Sequence, residues 1–208
     1  MKDRYDDIDE YIADLKAEIA QNEQCATHHY NLGLALLSKR DFMAAEESFL
    51  EAVRNSPHLA EAYVQLGGIC LKRNDLEGCL RYNEEAANCR AKFPVPQANI
   101  GFVYIQMGKP EKALVHLRKA LKWDPEFLQA KTGVATAQFM LNDLKGCEET
   151  CLAIIKQEPG FAPAWNNLAL AYFEEQEYAK AIEACDKARE LGFDVPQGFL
   201  DELAPHRA

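Results

Sequence analysis

The chain has 208 residues, 48% of them hydrophobic and 27% charged, which is enough apolar material to bury a core. Lys and Arg total 23 against 33 Asp and Glu, and the resulting net charge of −10 argues against a surface for nucleic acid or anionic lipid. Seven cysteines, an odd number without a CxxC spacing, fit a reducing compartment better than a disulfide framework.

The first predicted element lies within residues 5–24. Ile8, Ile12, Leu15 and Ile19 form a helical stripe on an otherwise acidic segment. Its opening, MKDRYDDIDEYIADLK, carries acids where a signal peptide needs basic residues followed by an apolar stretch. No apolar run elsewhere approaches the ~20 residues that span a bilayer. A cytoplasmic location is expected.

From Ala26 the chain repeats itself. Alanines stand at 52, 86, 120 and 188 in a frame of 34 residues, with Ile154 in the fourth place. Leu32, Leu66, Ile100, Val134 and Leu168 follow the same period, and so do the small Gly33, Gly67, Gly101, Ala135 and Ala169. A further small series is Ala45, Cys79, Ala113, Cys147 and Ala181. Within the first block, Leu32, Leu36 and Leu37 give one helical stripe. After a break at Lys39-Arg40-Asp41, Phe42, Ala45, Phe49, Ala52 and Val53 give a second. Asp41, Asp75 and Asp143 precede second helices, where a short carboxylate caps free N–H groups. In the third block Gly108 ends one helix and Pro110 opens the next. Pro57, Pro125 and Pro159 mark turns that close blocks.

These residues resemble the tetratricopeptide repeat (TPR) signature, Trp-x2-Leu-Gly-x2-Tyr followed by Ala-x3-Phe and Pro. The nearest matches are Trp165, Leu168, Ala169 and Tyr172, and Ala45, Phe49 and Pro57. The fourth block departs most, with Lys131 in the Trp column and Gln138 in the Tyr column. The resemblance implies an all-α fold, a right-handed α-solenoid or superhelix of antiparallel helix pairs. The expected division is an acidic capping helix in 1–25, repeats at 26–59, 60–93, 94–127, 128–161 and 162–195, and a short capping helix and tail in 196–208. Phe199, Leu200 and Leu203 supply the apolar side of that last helix. An alternative role for the first helix is that of a ligand for this groove or a neighbour's.

No catalytic constellation stands out among His28, His29, His58, His116 and His206, and no phosphate-binding loop or nucleophile elbow occurs. The chain is expected not to be an enzyme and to carry neither cofactor nor metal. Cys70, Cys79, Cys147, Cys151 and Cys185 fall in core columns, where a thiol acts as a small hydrophobe. Cys25 and Cys89 lie outside those columns and are the candidate reactive thiols.

The resemblance further implies that first helices line a concave groove for a protein or peptide partner. The residues carried over are Tyr30, Asn31 and Leu34; Val64, Gln65 and Gly68; Ala98, Asn99 and Phe102; Thr132, Gly133 and Thr136; and Asn166, Asn167 and Leu170. Asn31, Gln65, Asn99 and Asn167 form an amide column, broken at Gly133, that suits the main chain of an extended peptide. Ile105, Phe139 and Phe173 add apolar pockets one turn along. Truncating Asn99 is expected to weaken a groove ligand by about 1 kcal/mol with little effect on melting. The basic clamp that some members use for acidic chaperone termini is absent, since Val64, Gly68, Thr132 and Thr136 stand in its places.

Charge is unevenly distributed along the chain. Residues 1–25 carry −5, the fifth block −4, and only the third block is positive, at +2, through Lys109, Lys112, Arg118, Lys119 and Lys122. The expected function is that of a non-catalytic interaction scaffold, with a self-assembling scaffold, an accessory subunit or a secretion-type chaperone as alternatives. The expected partner is a protein or peptide, or a second copy of the chain, and not nucleic acid or membrane.

Overall fold

The structure is a computed structural model that describes residues 7–207. Among the described residues it is all-α, with twelve helices and no strand. In chain order these are α1 (Ile8–Gln21), α2 (Ala26–Ser38), α3 (Phe42–Asn55), α4 (Ala60–Lys72), α5 (Leu76–Cys89), α6 (Pro94–Gln106) and α7 (Pro110–Trp123). They continue as α8 (Leu128–Met140), α9 (Leu144–Gln157), α10 (Ala162–Glu174), α11 (Tyr178–Glu190) and α12 (Gln197–Leu203), followed by a 3-10 turn at Ala204–His206. None is long and apolar enough to cross a membrane.

Local chemistry sets these boundaries. Asp41, Asp75 and Asp143 accept from the backbone N–H of Ala44, Gly78 and Gly146 at 3.2, 2.8 and 3.1 Å, capping α3, α5 and α9. Pro110 opens α7 at a position whose N–H has no helical partner. The even-numbered helices α2 to α10 stop through one shared device. Arg40, Asn74, Gly108, Asn142 and Gln176, each 34 residues after the last, hold left-handed backbone with φ of 62, 58, 68, 60 and 62°. In α2, for example, the N–H of Arg40 reaches the Leu37 carbonyl and that of Asp41 the Leu36 carbonyl. That paired closure satisfies two orphan carbonyls at each helix end. Gly108 adopts the geometry without a Cβ penalty, whereas Arg40 and Gln176 adopt it because the hydrogen bonds require it.

The chain forms two compact units, divided between Asn99 and Ile100. In the first, α1 packs on α2, α2 on α3, α3 on α4 and α4 on α5. Ile12 and Leu15 of α1 are buried in one core with Leu32, Leu36, Phe49 and Leu66. In the second, α7 to α12 pack in succession around Cys147, Cys151, Leu168, Cys185, Phe199 and Leu203.

The small column faces a large one, and the two compensate. A Cβ on Gly33 would lie 2.6 Å from the Phe49 ring, one on Gly67 2.4 Å from Asn83 Nδ2, and one on Gly101 2.5 Å from Leu117 Cγ. Where the large column shrinks to Cys151 and Cys185, the small one carries Ala135 and Ala169, all fully buried. Close packing tolerates little change in total volume, so the two columns vary together.

The fourth block's departures are accommodated by polar contacts. Lys131 bonds the carboxylate of Glu126 at 3.2 Å and also the side chain of Gln157. Gln138 accepts from Thr150 at 2.8 Å and donates to Asp143 at 3.3 Å. At the same column as Lys131, the Trp165 indole donates to the Pro159 carbonyl at 2.9 Å, and His29 Nε2 meets the Glu23 carbonyl at 2.8 Å. Beyond ring packing, these side chains therefore tie the preceding turn to the helix.

Candidate partner-binding surface

The side chains expected to line a groove sit on α2, α4, α6, α8 and α10, and they differ in how free they are. In the first unit Tyr30, Asn31, Leu34, Val64, Gln65 and Asn99 are all half-buried. Tyr30 packs on Phe49 with ring centroids 5.7 Å apart. Its hydroxyl bonds the Gln65 side chain, while burial and the charge of Glu61 push its pKa up. Asn99 Nδ2 donates to Asn83 Oδ1 at 2.8 Å. Asn83 lies on α5, has no solvent exposure, and donates in turn to the Cys79 carbonyl at 2.8 Å.

In the second unit Thr132 donates to the Leu128 carbonyl at 2.8 Å and Thr136 to the Thr132 carbonyl at 3.1 Å. Asn167 Nδ2 donates to Thr136 Oγ1 at 3.0 Å, joining α10 to α8. Asn166 is only 8% exposed, and its Oδ1 has no donor among the described residues. Leu170 packs against the core, whereas Phe102 on α6 is 43% exposed.

These contacts correct the expected amide ladder. Gln65, Asn99 and Asn167 are bonded to Tyr30, Asn83 and Thr136 and so already help to hold helices together. The gap at Gly133 has a packing cause, because a Cβ there would lie 2.8 Å from Leu117 Cδ2. The expected side pockets also change. Ile105 is buried, and Phe173 is covered by Phe199 at 5.5 Å, Tyr178 at 5.6 Å and His206 at 6.2 Å between ring centroids. Ala98, also expected in the groove, is buried too.

Two features of this surface favour a ligand. A Cβ added to exposed Gly68 on α4 would meet nothing within 4 Å, so open space lies over that backbone. Charge is also scarce on the five helices, limited to Glu61, Lys72, Lys131 and Glu174. Of these, Lys131 is engaged by Glu126 and Glu61 by Arg90. A nearly uncharged surface with half-exposed amides suits main-chain and apolar contacts better than a charged terminus.

The thiols show little sign of reactivity. Cys147 and Cys151, one turn apart on α9, are fully buried and share a hydrogen bond that raises the Cys151 pKa and lowers that of Cys147. Cys89 donates to the Pro57 carbonyl at 3.3 Å, and burial together with nearby Glu85 raises its pKa. A raised pKa leaves less of the nucleophilic thiolate at neutral pH. Cys25 is partly exposed. Sequence reasoning missed Asn83, although its place in the column of Phe49 and Leu117 marks it as a polar residue among core positions.

Comparison with known proteins places this surface in context. Sequence profiles of the tetratricopeptide repeat match residues 9–60 and 30–87, 104–168 and 162–191. The Protein CTR9 homolog of Arabidopsis thaliana is 30% identical over 191 residues, covering 83% of this chain and 16% of that protein. The BBSome complex member BBS4 of Bos taurus is 25% identical over 166 residues, covering 78% of this chain and 31% of that protein. The chain thus spans a third or less of the length of these relatives. The crystal structure of YrrB, a TPR protein with an unusual peptide-binding site, is similar in fold, with a TM-score of 0.69 and 21% identity. That match covers 92% of this chain and 96% of YrrB.

Proposed function

The chain belongs to the tetratricopeptide repeat family, and on that premise we propose that it is a non-catalytic, cytoplasmic scaffold that binds a partner polypeptide on its first-helix faces. TPR folds generally serve as protein-interaction modules. In this reading residues 26–195 form five repeats, with capping helices on either side. Each unit offers a face of its own, α2 and α4 in the first and α8 and α10 in the second. Tyr30, Asn31, Leu34, Val64 and Gln65 contribute to the first face, and Thr132, Thr136, Asn166, Asn167 and Leu170 to the second. Asn99 and Phe102 complete the set on α6.

The observation that carries this reading is the open space over Gly68, on a helix face with uncharged Val64 and Gln65 one turn before it and Lys72 one turn after it. A ligand backbone can approach closely where no side chain intervenes. A benzophenone side chain placed at position 68 should cross-link the partner in cells of the native host and identify it by mass spectrometry. Gly68→Leu should then weaken the identified partner at least tenfold without lowering the melting temperature. Unchanged affinity in a folded Gly68→Leu variant would refute binding across this face.

A second reading, an accessory subunit of a larger complex, is supported by the description of BBS4 as a complex member. Co-purification at fixed stoichiometry with a multi-subunit assembly distinguishes it from exchangeable peptide binding.

A further inference from the structure

The helix α7 carries an unusual charge pattern for a chain of net charge −10. It holds Lys112, Arg118, Lys119 and Lys122 against one acid, Glu111. All five are exposed, and between them lies Val115, at 66% one of the most exposed apolar residues of the molecule. At 100° per residue they share the side opposite the buried Ala113, Leu117 and Ala120. Cations elsewhere commonly reach carboxylates, as Arg73 does Glu46, Arg90 does Glu61 and Arg207 does Asp186. No cation of α7 forms an ion pair among the described residues. Lys112 and Lys119 instead place their ammonium groups over the rings of Tyr104 and Trp123, at 5.7 and 5.3 Å, contacts that leave them without a carboxylate partner. The positive field is felt within the helix, where burial and Lys119 both lower the His116 pKa.

The chain also contains the complementary pattern. On α1, Ile12 and Leu15 are buried, while the opposite side exposes Glu10, Asp14 and Glu18 with Ala13 and Ala17 between them. Acids at i, i+4 and i+8 line one side of α1, as the cations at 112, 118, 119 and 122 line one side of α7. The small alanines leave room for Val115.

We propose that α7 of one copy docks the acidic face of α1 of a second copy. The contact joins two different surfaces, so it is heterologous and leaves a free α1 and a free α7 at its two ends. It therefore propagates into short chains or closes into a ring. A 14-residue helix is about 21 Å long, so the interface is small and the association is weak and sensitive to salt. This surface is distinct from the first-helix faces, and its failure would leave the proposed function untouched. An anionic nucleic acid fits less well, because the rest of the chain repels phosphate and Val115 needs an apolar contact.

The test is sedimentation equilibrium of the full chain from about 10 µM to about 1 mM, at about 20 mM and about 500 mM salt. The expected result is an average mass that rises with concentration at low salt and returns to the monomer at high salt. Lys119→Glu with Lys122→Glu should abolish the rise, and adding Glu10→Lys with Glu18→Lys in the same chain should restore it. All four positions are exposed, so circular dichroism should be unchanged in each variant. A chain that stays monomeric at low salt overturns the proposal. So does association that survives the Lys119/Lys122 reversal, or a double reversal that fails to restore it. A monomer that shifts a fluorescent single-stranded DNA in the same buffer would assign α7 to nucleic acid instead and also overturn it.

Discussion

Truncation of Asn99 separates a structural from a ligand-binding role for the amide column. In the folded chain Asn99 Nδ2 is the donor to Asn83 Oδ1, at 2.8 Å, and Asn83 is fully buried. Asn99→Ala leaves that acceptor without its protein donor, which costs about 1–3 kcal/mol. Because Asn99 is half-exposed, water can reach part of the vacated space, and the lower part of the range, about 1–2 kcal/mol, is expected. For a chain of this size that is a fall in melting temperature of roughly 2–8 °C. The expectation from sequence that melting would barely change is thereby reversed. A double-mutant cycle in urea, followed by far-ultraviolet circular dichroism, isolates the pair. Asn83→Leu places at 83 the residue its column carries at Leu117 and removes the buried acceptor. In that background Asn99→Ala should cost no more than about 0.5 kcal/mol, so the coupling should be about 1 kcal/mol. An equal cost of Asn99→Ala in both backgrounds would refute this account of the pair.

Three further outcomes follow from the same physics. Adjacent glycines on α4 should respond oppositely, measured by thermal melting. Gly67→Ala drives a Cβ into Asn83 and should destabilise by about 1–3 kcal/mol, whereas Gly68→Ala gains helix propensity of about 0.8–1 kcal/mol in open space. At the left-handed helix ends Gln176→Gly should stabilise by about 0.5–1 kcal/mol and Gly108→Ala should destabilise by about 1 kcal/mol, with equal melting of wild type and variants counting against strain at these ends. The Arg207 guanidinium, bonded to Asp186 at 2.6 and 2.9 Å, lowers the pKa of that carboxyl. A depressed carboxyl pKa stabilises the fold above the unfolded value near 3.9 and ceases to do so as pH falls through the folded value. Arg207→Ala should therefore cost no more than about 1 kcal/mol near pH 7, as the pair is exposed, and nothing once the pH has fallen below the folded value of Asp186. A cost that persists at low pH would assign the effect to packing.

Much of the fold was legible because the signals are local or periodic. The Asp41, Asp75 and Asp143 caps, the Gly108-to-Pro110 break and the stripes on α1 and α3 depend on neighbours within a few residues. The left-handed Arg40 and Gln176 were not legible from residue type, since neither favours that backbone. Their alignment with Gly108, 68 residues after Arg40 and 68 before Gln176, was the available signal.

The candidate surface was legible only in outline. Sequence marked Asn31, Gln65, Asn99 and Asn167 as side chains of one column, but a column specifies direction along its own helix and not what a neighbouring helix offers. Asn83 is 16 residues from Asn99 and Thr136 is 31 from Asn167. Phe173 likewise became a covered residue because α12 and His206 fold over it.

Length, net charge and the 34-residue period thus determined the class of fold, the helices and the uneven placement of charge. Tertiary structure decided which amides are engaged, why Gly67 is needed while Gly68 is free, and which cations lack a carboxylate. The physical reason is range: helix formation and capping act over three or four residues, whereas steric fit and hydrogen-bond satisfaction are settled between helices.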